Sequence, residues 1–274
     1  MENLRSALAT DTYILSGASG GETYEPRFTY HGFRFVALQG FPGTPTLKSL
    51  YAKHVYSSVN TTGTIVFNNA ILDRIQSNIW WGQSSNLMSV PTDCDQRDER
   101  LGWMADGHLS AEEAMHNFDM SAFYTKWVND MAMVQATSGA MYDVVPPMRY
   151  AALSADPAWE TAFPLLASYL LTYLNDTRVA AQQYAQLKGY VAYLASQAQE
   201  TGLTGMYGNF GDWVPPPPVA KASTHFTGSW YYLLAIQTLQ SAYHYHSQLI
   251  ITCSINMLIT LMCRRHCGGA GRGR

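Results

Sequence analysis

The hydrophobic period of the chain changes near residue 68, from the alternation typical of β-strands to the spacing typical of helices. Before this point, runs rich in Tyr, Phe, Val and Thr alternate with Gly and Pro clusters, which predicts strands over residues 10–67. Beyond it, apolar residues recur every three or four positions, and Asn68 or Asn69 can cap the first helix. The sequence therefore predicts a short β region followed by a helical domain.

Five segments carry the helical pattern: residues 70–88, 111–135, 157–174, 177–198 and 224–246. The first has a stripe along one face, formed by Ile71, Leu72, Ile75, Ile79 and Gln83. Ser110 and Glu113 predict a capping box at the start of the second helix. Helices of this length, joined by long loops, predict helical hairpins that stack around a common axis.

A charged segment at residues 83–108, QSSNLMSVPTDCDQRDERLGWMADGH, stands out because only 14% of the chain is charged. Pro91 and Gly102 interrupt the segment, which predicts a loop. Its arginines can orient the neighbouring carboxylates and shift their pKa values apart, while Trp103 and Met104 suit a pocket wall. Glycoside hydrolysis requires carboxylates in unequal environments, although a solvated structural loop explains the same run of charges.

SVPTDCDQRDERLGWMADGH resembles the signature loop of the α-L-rhamnosidases of glycoside hydrolase family 78, whose motif reads roughly VPTDCPQRDERLGWTGDA. The chain departs from this motif at Asp95, Met104, Ala105 and Gly107, and none of these departures removes an ionisable family residue. EPRFTYHGFR at residues 25–34 is also similar to the family. The resemblance implies an inverting glycoside hydrolase with an (α/α)6 barrel, a toroid of six helical hairpins, that follows a β-sandwich.

On this comparison the chain is mainly α, with a partial (α/α)6 barrel preceded by the last strands of a β-sandwich. We predict that residues 1–67 are C-terminal strands of the sandwich and that residues 68–248 are the first part of the catalytic domain. Residues 249–274 form an apolar and basic tail unlike the family. Its apolar run, fifteen residues long, is shorter than the roughly 17 needed to cross a bilayer, so we do not expect membrane insertion.

The resemblance also assigns roles to individual residues. Glu99, the Glu of the DER triplet, corresponds to the general acid that protonates the glycosidic oxygen. Six further positions match residues that contact rhamnose in the family: Asp93, Arg97, Trp103, Asp106, Trp159 and Trp213. Trp159 lies in DPAWETA, where Glu160 replaces the usual small residue of a GWGDA-type loop. Core packing is the slightly favoured explanation for Trp159 and for Trp213 when each is taken alone.

The general base has no counterpart in the late part of the chain. In the family it is a glutamate carried late in the barrel, whereas no acidic residue follows Asp212 here, and Asp212 itself is typical of a loop cap. The chain is therefore either an α-L-rhamnosidase that hydrolyses terminal α-L-rhamnosyl residues or a catalytically inactive fragment that retains part of a rhamnose-binding site. A helical scaffold without a sugar site is a third interpretation, and it treats the motif as coincidence.

The expected partner is a rhamnose-containing carbohydrate, with neither a metal nor a cofactor. A formal net charge of −3 does not favour nucleic-acid binding. CRRHC at residues 263–267 offers two thiolates and one imidazole, an incomplete set for tetrahedral zinc. MENLRSALATDTY at the N-terminus lacks the apolar core of a signal peptide, and the sequence leaves the compartment undecided.

Overall fold

A computed structural model describes residues 4–148, 151–153, 156–201 and 210–242. The chain divides into two compact units, Met1–Met120 and Ser121–Arg274. Regular structure in the described residues is almost entirely helical, which confirms the prediction of a mainly α chain. The predicted tail at residues 249–274, with CRRHC, lies outside the described residues, and the division into residues 1–67, 68–248 and 249–274 stays a prediction.

The first unit begins with a long irregular segment. We predict strands over residues 10–67, but the structure assigns none to this range. Local hydrogen bonds take their place, since the Glu22 carboxylate accepts the backbone N–H groups of Ser16 and Gly17, both at 3.0 Å. Isolated contacts, such as the bridge from Thr61 to Phe118, are present in this segment, but a strand needs a continuous neighbour that shares its hydrogen bonds. Sequence pattern alone cannot provide one.

Helix α1, Ala70–Ser85, begins where the sequence predicts. Asn69 is its N-cap, with the side-chain oxygen 2.9 Å from the backbone nitrogen of Ile71 and 3.4 Å from that of Leu72. The predicted apolar stripe is nevertheless exposed, as Ile71 is 72% accessible to solvent. Burial is confined to the C-terminal turn, where Gln83 is buried.

A short hairpin and a short helix flank the charged loop. Strand β1, Leu87–Met88, pairs antiparallel with β2, Val90–Pro91. Helix α2, Met104–Leu109, occupies the end of the segment that the sequence predicts to be loop. The apolar residues on both sides of the charges pack into the core: Leu87, Val90, Leu101, Met104 and Ala105. The irregular part of the segment is therefore limited to residues 92–103.

The second predicted helix, residues 111–135, is interrupted in the structure. Helix α3, Ala111–Asn117, ends where Phe118 adopts an extended backbone with φ −134° and ψ 155°. The interruption allows Phe118 to form an isolated antiparallel bridge with Thr61 and to bury its ring, which is 1% exposed. Core burial at this one position outweighs the helical spacing of its neighbours.

The predicted capping box does not form. Ser110 has a helical backbone because α2 runs almost directly into α3, and no hydrogen bond from its side chain caps α3. Its hydroxyl instead donates to the carbonyl oxygen of Asp106 at 3.2 Å. Glu113, the other expected member of the box, accepts a hydrogen bond from the Asn117 amide at 2.9 Å.

The second unit is a packed set of helices: α4 Ser121–Val134, α5 Pro157–Glu160, α6 Ala162–Leu174, α7 Thr177–Gln182, α8 Tyr184–Thr201, and α9 over residues 224–242. These helices confirm the predicted helical segments 157–174 and 177–198, each of which is divided into two helices, and the described part of the segment 224–246. Helix α4 packs on α6, α6 on α7, and α7 on α8. Fully buried side chains fill the space between them: Tyr124, Trp127, Val128, Met131, Phe163, Leu166, Leu170 and Tyr190. Among the described helices of the chain, none is both long and apolar enough to span a bilayer.

Aspartates set where two of these helices begin. Asp156 caps α5 and Asp176 caps α7, each by accepting the backbone N–H two residues ahead, at 3.1 and 3.0 Å. Pro164 lies in the first turn of α6, where the missing N–H removes no intrahelical bond. Asn175 ends α6 in the left-handed conformation, with φ 53°. The chain therefore turns sharply between α6 and α7.

Candidate active site

Asp93 closes the charged loop on itself. Its backbone N–H donates to the carbonyl oxygen of Leu101 at 3.0 Å, and the N–H of Leu101 donates to the Asp93 carboxylate at 2.7 Å. Asp93 is only 7% exposed, so these bonds are shielded from water. The reciprocal pair fixes the two ends of the loop that carries the motif.

The segment EPRFTYHGFR supports this loop from the outside. The backbone N–H of Gly32 donates to the carbonyl oxygen of Asp95 at 3.2 Å. A Cβ atom at position 32 would lie 2.8 Å from the Asp95 carboxylate, so a larger residue there would require the Asp95 side chain to move. The guanidinium of Arg100 lies 4.3 Å from the centroid of the Tyr30 ring, a cation–π contact. The two stretches that resemble the family therefore contact each other.

Glu99 lies at the centre of the loop's hydrogen-bond network. Its Oε2 accepts from Nε and NH2 of Arg97 at 3.1 and 2.9 Å, and from Arg5 at 3.0 Å. Its Oε1 accepts from the indole N–H of Trp103 at 2.9 Å. The side chain of Glu99 is 15% exposed, so the carboxyl group is held in place but remains in contact with solvent.

Two of these contacts go beyond the sequence prediction. Trp103 is predicted to be an apolar wall, and its indole N–H additionally orients Glu99. Arg5 is not predicted at all, because 94 residues separate it from Glu99 and no motif surrounds it. Its guanidinium is 54% exposed and belongs to the outer edge of the network. An exposed ion pair of this kind adds little stability.

Asp93 and Glu99 form a close carboxyl pair, with oxygen atoms within 4.8 Å of each other. Burial raises the pKa of Asp93 to about 6, although the Leu101 N–H opposes this effect. The charge of Glu99 and a hydrogen bond between the two side chains contribute to the same rise in the pKa of Asp93. The pair therefore retains a proton at a higher pH than an isolated aspartate does.

Cys94 joins this pair in a trio with converging ligand atoms. Burial, followed by the charge of Asp93, raises the pKa of the Cys94 thiol to about 12. A thiol that stays protonated is a poor metal ligand and a poor nucleophile. The Glu99 carboxylate is also engaged by guanidinium groups, which repel a cation. The chemistry of the trio favours holding a proton over binding a metal.

Asp106 lies in the first turn of α2 and belongs to the same cluster of charges. Desolvation by the surrounding protein atoms raises the pKa of the Asp106 carboxyl. The negative charge of Glu99 also raises this pKa, whereas the positive charge of Arg97 lowers it. The other side of the residue is open to solvent. The structure thus brings five predicted site residues together in the first unit: Asp93, Arg97, Glu99, Trp103 and Asp106.

In the second unit, Trp159 and Trp213 form an aromatic cluster with Phe210. The centroid of Phe210 lies 4.6 Å from that of Trp159 and 5.5 Å from that of Trp213. The two indoles are 6.5 Å apart and perpendicular. Trp159 is 6% exposed and packs in the core, whereas Trp213 is 62% exposed. Of the two, Trp213 has the surface that a ligand can reach.

The chain around Trp213 is held by a carboxylate on each side. The Asp156 carboxylate accepts the N–H of Phe210 at 2.9 Å, and the Asp212 carboxylate accepts the N–H of Ala222 at 2.8 Å. The second bond confirms the expectation that Asp212 is a loop cap. The ammonium of Lys221 lies 5.6 Å from the centroid of the Trp213 ring. The sequence does not predict the roles of Asp156 and Phe210, although both lie beside the predicted tryptophans.

Two family models match the chain. The bacterial alpha-L-rhamnosidase 6 hairpin glycosidase domain matches residues 60–248, and the bacterial alpha-L-rhamnosidase concanavalin-like domain matches residues 1–56. The first match covers well over half of the chain. It confirms the predicted fold class, a chain that carries part of a six-hairpin helical barrel.

Alpha-L-rhamnosidases are also found among similar proteins. One from Streptomyces avermitilis is 39% identical over 212 residues, which cover 77% of this chain and 20% of that protein. One from Formosa agariphila is 32% identical over 219 residues, which cover 79% of this chain and 23% of that protein. The chain therefore spans about a fifth to a quarter of the length of these relatives.

Solved structures give the same result. The structure of alpha-L-rhamnosidase from Dictyoglumus thermophilum is 43% identical with a TM-score of 0.81, over 90% of this chain and 29% of that one. The Streptomyces avermitilis alpha-L-rhamnosidase complexed with L-rhamnose is 34% identical with a TM-score of 0.80, over 90% of this chain and 23% of that one. Both similarities extend through most of the chain.

Proposed function

The chain belongs to the bacterial alpha-L-rhamnosidase family, and from this membership we propose that it carries the proton-donating part of an inverting glycoside hydrolase. The substrate is a terminal α-L-rhamnosyl residue of a glycoside or polysaccharide. The supporting observation is the arrangement of Glu99, whose two oxygens are fixed by Arg97 and Trp103 inside a loop closed by Asp93. A complex of the Streptomyces avermitilis relative with L-rhamnose agrees with this choice of sugar.

Glu99 acts as the general acid in this proposal. Protonation of the glycosidic oxygen requires a carboxyl group with a defined direction and access to the substrate. Three side-chain donors hold the Glu99 carboxyl, and 15% of the side chain remains exposed. When a substrate oxygen replaces one of the exposed donors, such as Arg5, the proton that Asp93 shares with Glu99 passes through the Glu99 carboxyl to the leaving group, and both carboxylates are left ionised.

Asp93, Arg97 and Asp106 bind the sugar hydroxyl groups. Carboxylates accept and guanidinium groups donate hydrogen bonds, so together they recognise a hydroxyl that does both. Removing one such buried partner leaves the others unsatisfied, which is the physical basis of selectivity for a particular sugar. Trp103 contributes an apolar surface beside the same groups, suited to the ring face and methyl group of rhamnose.

Asp93 is not the general base. In inverting enzymes the acid and the base lie roughly 6.5–9.5 Å apart, because a water molecule attacks from the opposite face of the sugar. The closest ligand oxygens of Asp93 and Glu99 lie within 4.8 Å, which leaves no room for that water. Asp93 is also bonded to the Leu101 N–H and is 7% exposed. Its place in the reaction is to bind the sugar and to share a proton with Glu99.

The second candidate function is rhamnose binding without catalysis. The observation that motivates it is the sequence after Asp212, which contains no acidic residue. A chain that keeps the acid but supplies no base loses a factor of roughly 10² to 10⁴ in rate. It can still bind L-rhamnose through the groups around Glu99.

Two measurements on the full chain separate these functions. Hydrolysis of p-nitrophenyl α-L-rhamnoside is compared between the wild type, Glu99→Gln and the control Glu113→Gln, whose carboxylate lies on α3 outside the loop. Catalysis is supported if the rate of p-nitrophenol release falls at least about a hundredfold in Glu99→Gln and is unchanged in Glu113→Gln. Binding of L-rhamnose that is weakened by Trp103→Phe, without any hydrolysis, supports the binding fragment. If the chain neither hydrolyses the rhamnoside nor binds L-rhamnose, both proposed functions are wrong.

A further inference from the structure

We propose that Asp156 is a positioning residue that fixes the exposed Trp213 indole for contact with a sugar. It does so by joining the loop that carries Trp213 to the start of α5. The inference rests on the proposed function, and on the expectation from the family resemblance that Trp213 contacts rhamnose. Asp156 itself is 1% exposed and does not contact the sugar.

The carboxylate of Asp156 divides its two oxygens between two parts of the chain. Oδ1 accepts the N–H of Ala158 at 3.1 Å, which caps α5. Oδ2 accepts the N–H of Phe210 at 2.9 Å, 54 residues away. Hydrogen bonds to an ionised acceptor are about twice as strong as neutral ones, and burial at this site excludes competing water. One buried side chain therefore fixes the helix start and the loop together.

Phe210 transmits this anchor to Trp213. The Phe210 ring packs against buried Trp159 with its centroid 4.6 Å away and the two planes tilted by 43°. It also meets the Trp213 ring edge to face, with a centroid distance of 5.5 Å and the planes at 87°. Gly211 between them has φ +59°, and a Cβ there would lie 2.6 Å from the Thr224 methyl group. The turn is thus tightly confined, yet Trp213 remains 62% exposed. An exposed ring on a confined loop is pre-organised for stacking, which lowers the entropic cost of binding.

A plain helix cap is the competing explanation, and the chain contains a matched case. Asp176 caps α7 with φ −88° and ψ 95°, close to the −87° and 100° of Asp156. It accepts the N–H of Arg178 at 3.0 Å, but its second oxygen bonds the Arg178 side chain instead of a distant loop. Asp156 and Asp176 therefore share the cap and differ in the connection to Phe210.

The test compares Asp156→Asn and Asp156→Ser with Asp176→Asn in the full chain. Asn and Ser both cap helices well, but neither offers two acceptor oxygens to two separate amides. Hydrogen exchange of the Phe210 amide reports the connection directly and needs no sugar. Titration with L-rhamnose, followed by tryptophan fluorescence and repeated in a Trp213→Phe background, reports the position of the ring.

In the wild type we expect the Phe210 amide to be protected from exchange. Both Asp156 variants should exchange it at least about tenfold faster and bind L-rhamnose about five- to twentyfold more weakly, with helical circular dichroism retained. Asp176→Asn should change neither readout. The affinity difference should disappear in the Trp213→Phe background.

Three results would overturn the proposal. An unprotected Phe210 amide in the wild type rules out the connection even if every Asp156 variant fails to fold. If Asp156→Asn folds and its Phe210 amide exchanges at the same rate as in the wild type, the connection between Asp156 and Phe210 is ruled out. If Asp176→Asn weakens L-rhamnose binding as much as the Asp156 variants do, Asp156 acts only as a helix cap. If the wild type binds no L-rhamnose, the proposed function fails, while exchange at Phe210 still tests the connection.

Discussion

Replacing Asp93 with asparagine should change how the stability of the chain depends on pH. Burial and the charge of Glu99 raise the pKa of Asp93 from an ordinary 3.8 to about 6 in the folded chain. A difference of about two pKa units corresponds to about 3 kcal/mol of folding free energy. Because Asp93 is 7% exposed, little of this effect is screened by solvent.

The sign follows from which state binds more protons. Below about pH 4 the carboxyl is protonated in the folded and the unfolded chain, so Asp93 carries no electrostatic penalty. Between about pH 4 and 6 the unfolded chain ionises first, and folding stability decreases as pH rises through the folded pKa. Above pH 6 the full penalty is present. Asparagine cannot ionise, and its amide oxygen can still accept the Leu101 N–H, so the variant escapes the penalty.

The assay is urea unfolding of the wild type and Asp93→Asn at several pH values from about 4 to 7.5. The free energy of unfolding of the variant, relative to the wild type, should rise by about 3 kcal/mol over this range. Carboxyl groups that are distant from Asp93 act equally in both proteins and cancel in the difference. Asp98→Asn, on the same loop, gives the baseline for losing one charge while the Asp93–Glu99 pair stays intact. A difference that stays constant with pH would refute the reasoning.

Three further predictions follow from single contacts. In the folded chain, the Cys94 thiol should react with iodoacetamide near pH 8 about 10- to 100-fold more slowly than a free thiol, because its pKa is raised to about 12. Mass spectrometry of the peptide that contains Cys94 measures the rate, and reaction as fast as that of free cysteine would contradict the environment described for this thiol. Asn69→Ala should lower the free energy of unfolding by about 1 kcal/mol, since it removes the acceptor for the first N–H groups of α1, and Asn69→Asp should restore it. Phe118→Ala should cost about 3–5 kcal/mol in urea unfolding because the ring is 1% exposed, and a loss below 1 kcal/mol would show that this ring is not in the core.

Local signals placed several elements correctly before tertiary structure was considered. Asn69 before an apolar-periodic run marks the start of α1, because the orphan N–H groups of a first turn need an acceptor wherever the helix lies. Asp212 likewise closes its loop through a short-range bond. The resemblance of residues 89–108 to the family motif predicted Asp93, Arg97, Glu99, Trp103 and Asp106 as site residues, and because the motif is continuous in sequence, these residues lie within one loop and one helix turn.

Where the sequence prediction and the structure differ, a distant partner is involved. The strand-like runs before residue 68 form no strands, because strands depend on neighbours that the pattern does not specify. Phe118 interrupts a helical pattern because the bridge to Thr61 and burial of its ring are available only in the folded unit. The stripe that includes Ile71 satisfies helical periodicity and is still exposed, since periodicity indicates a face and not what covers it.

The amino-acid sequence by itself determined the helical character of the chain and its family motif, and from the motif it predicted which residues handle a proton and a sugar. These depend on interactions between neighbours in the chain, or on a pattern long enough to be recognised. Only the tertiary structure decided that Asp93 and Glu99 share one environment, that Arg5 and Tyr30 reach the loop, and that Asp156 holds Phe210. Burial and charge proximity act through space, and a linear sequence does not specify which distant groups they bring together.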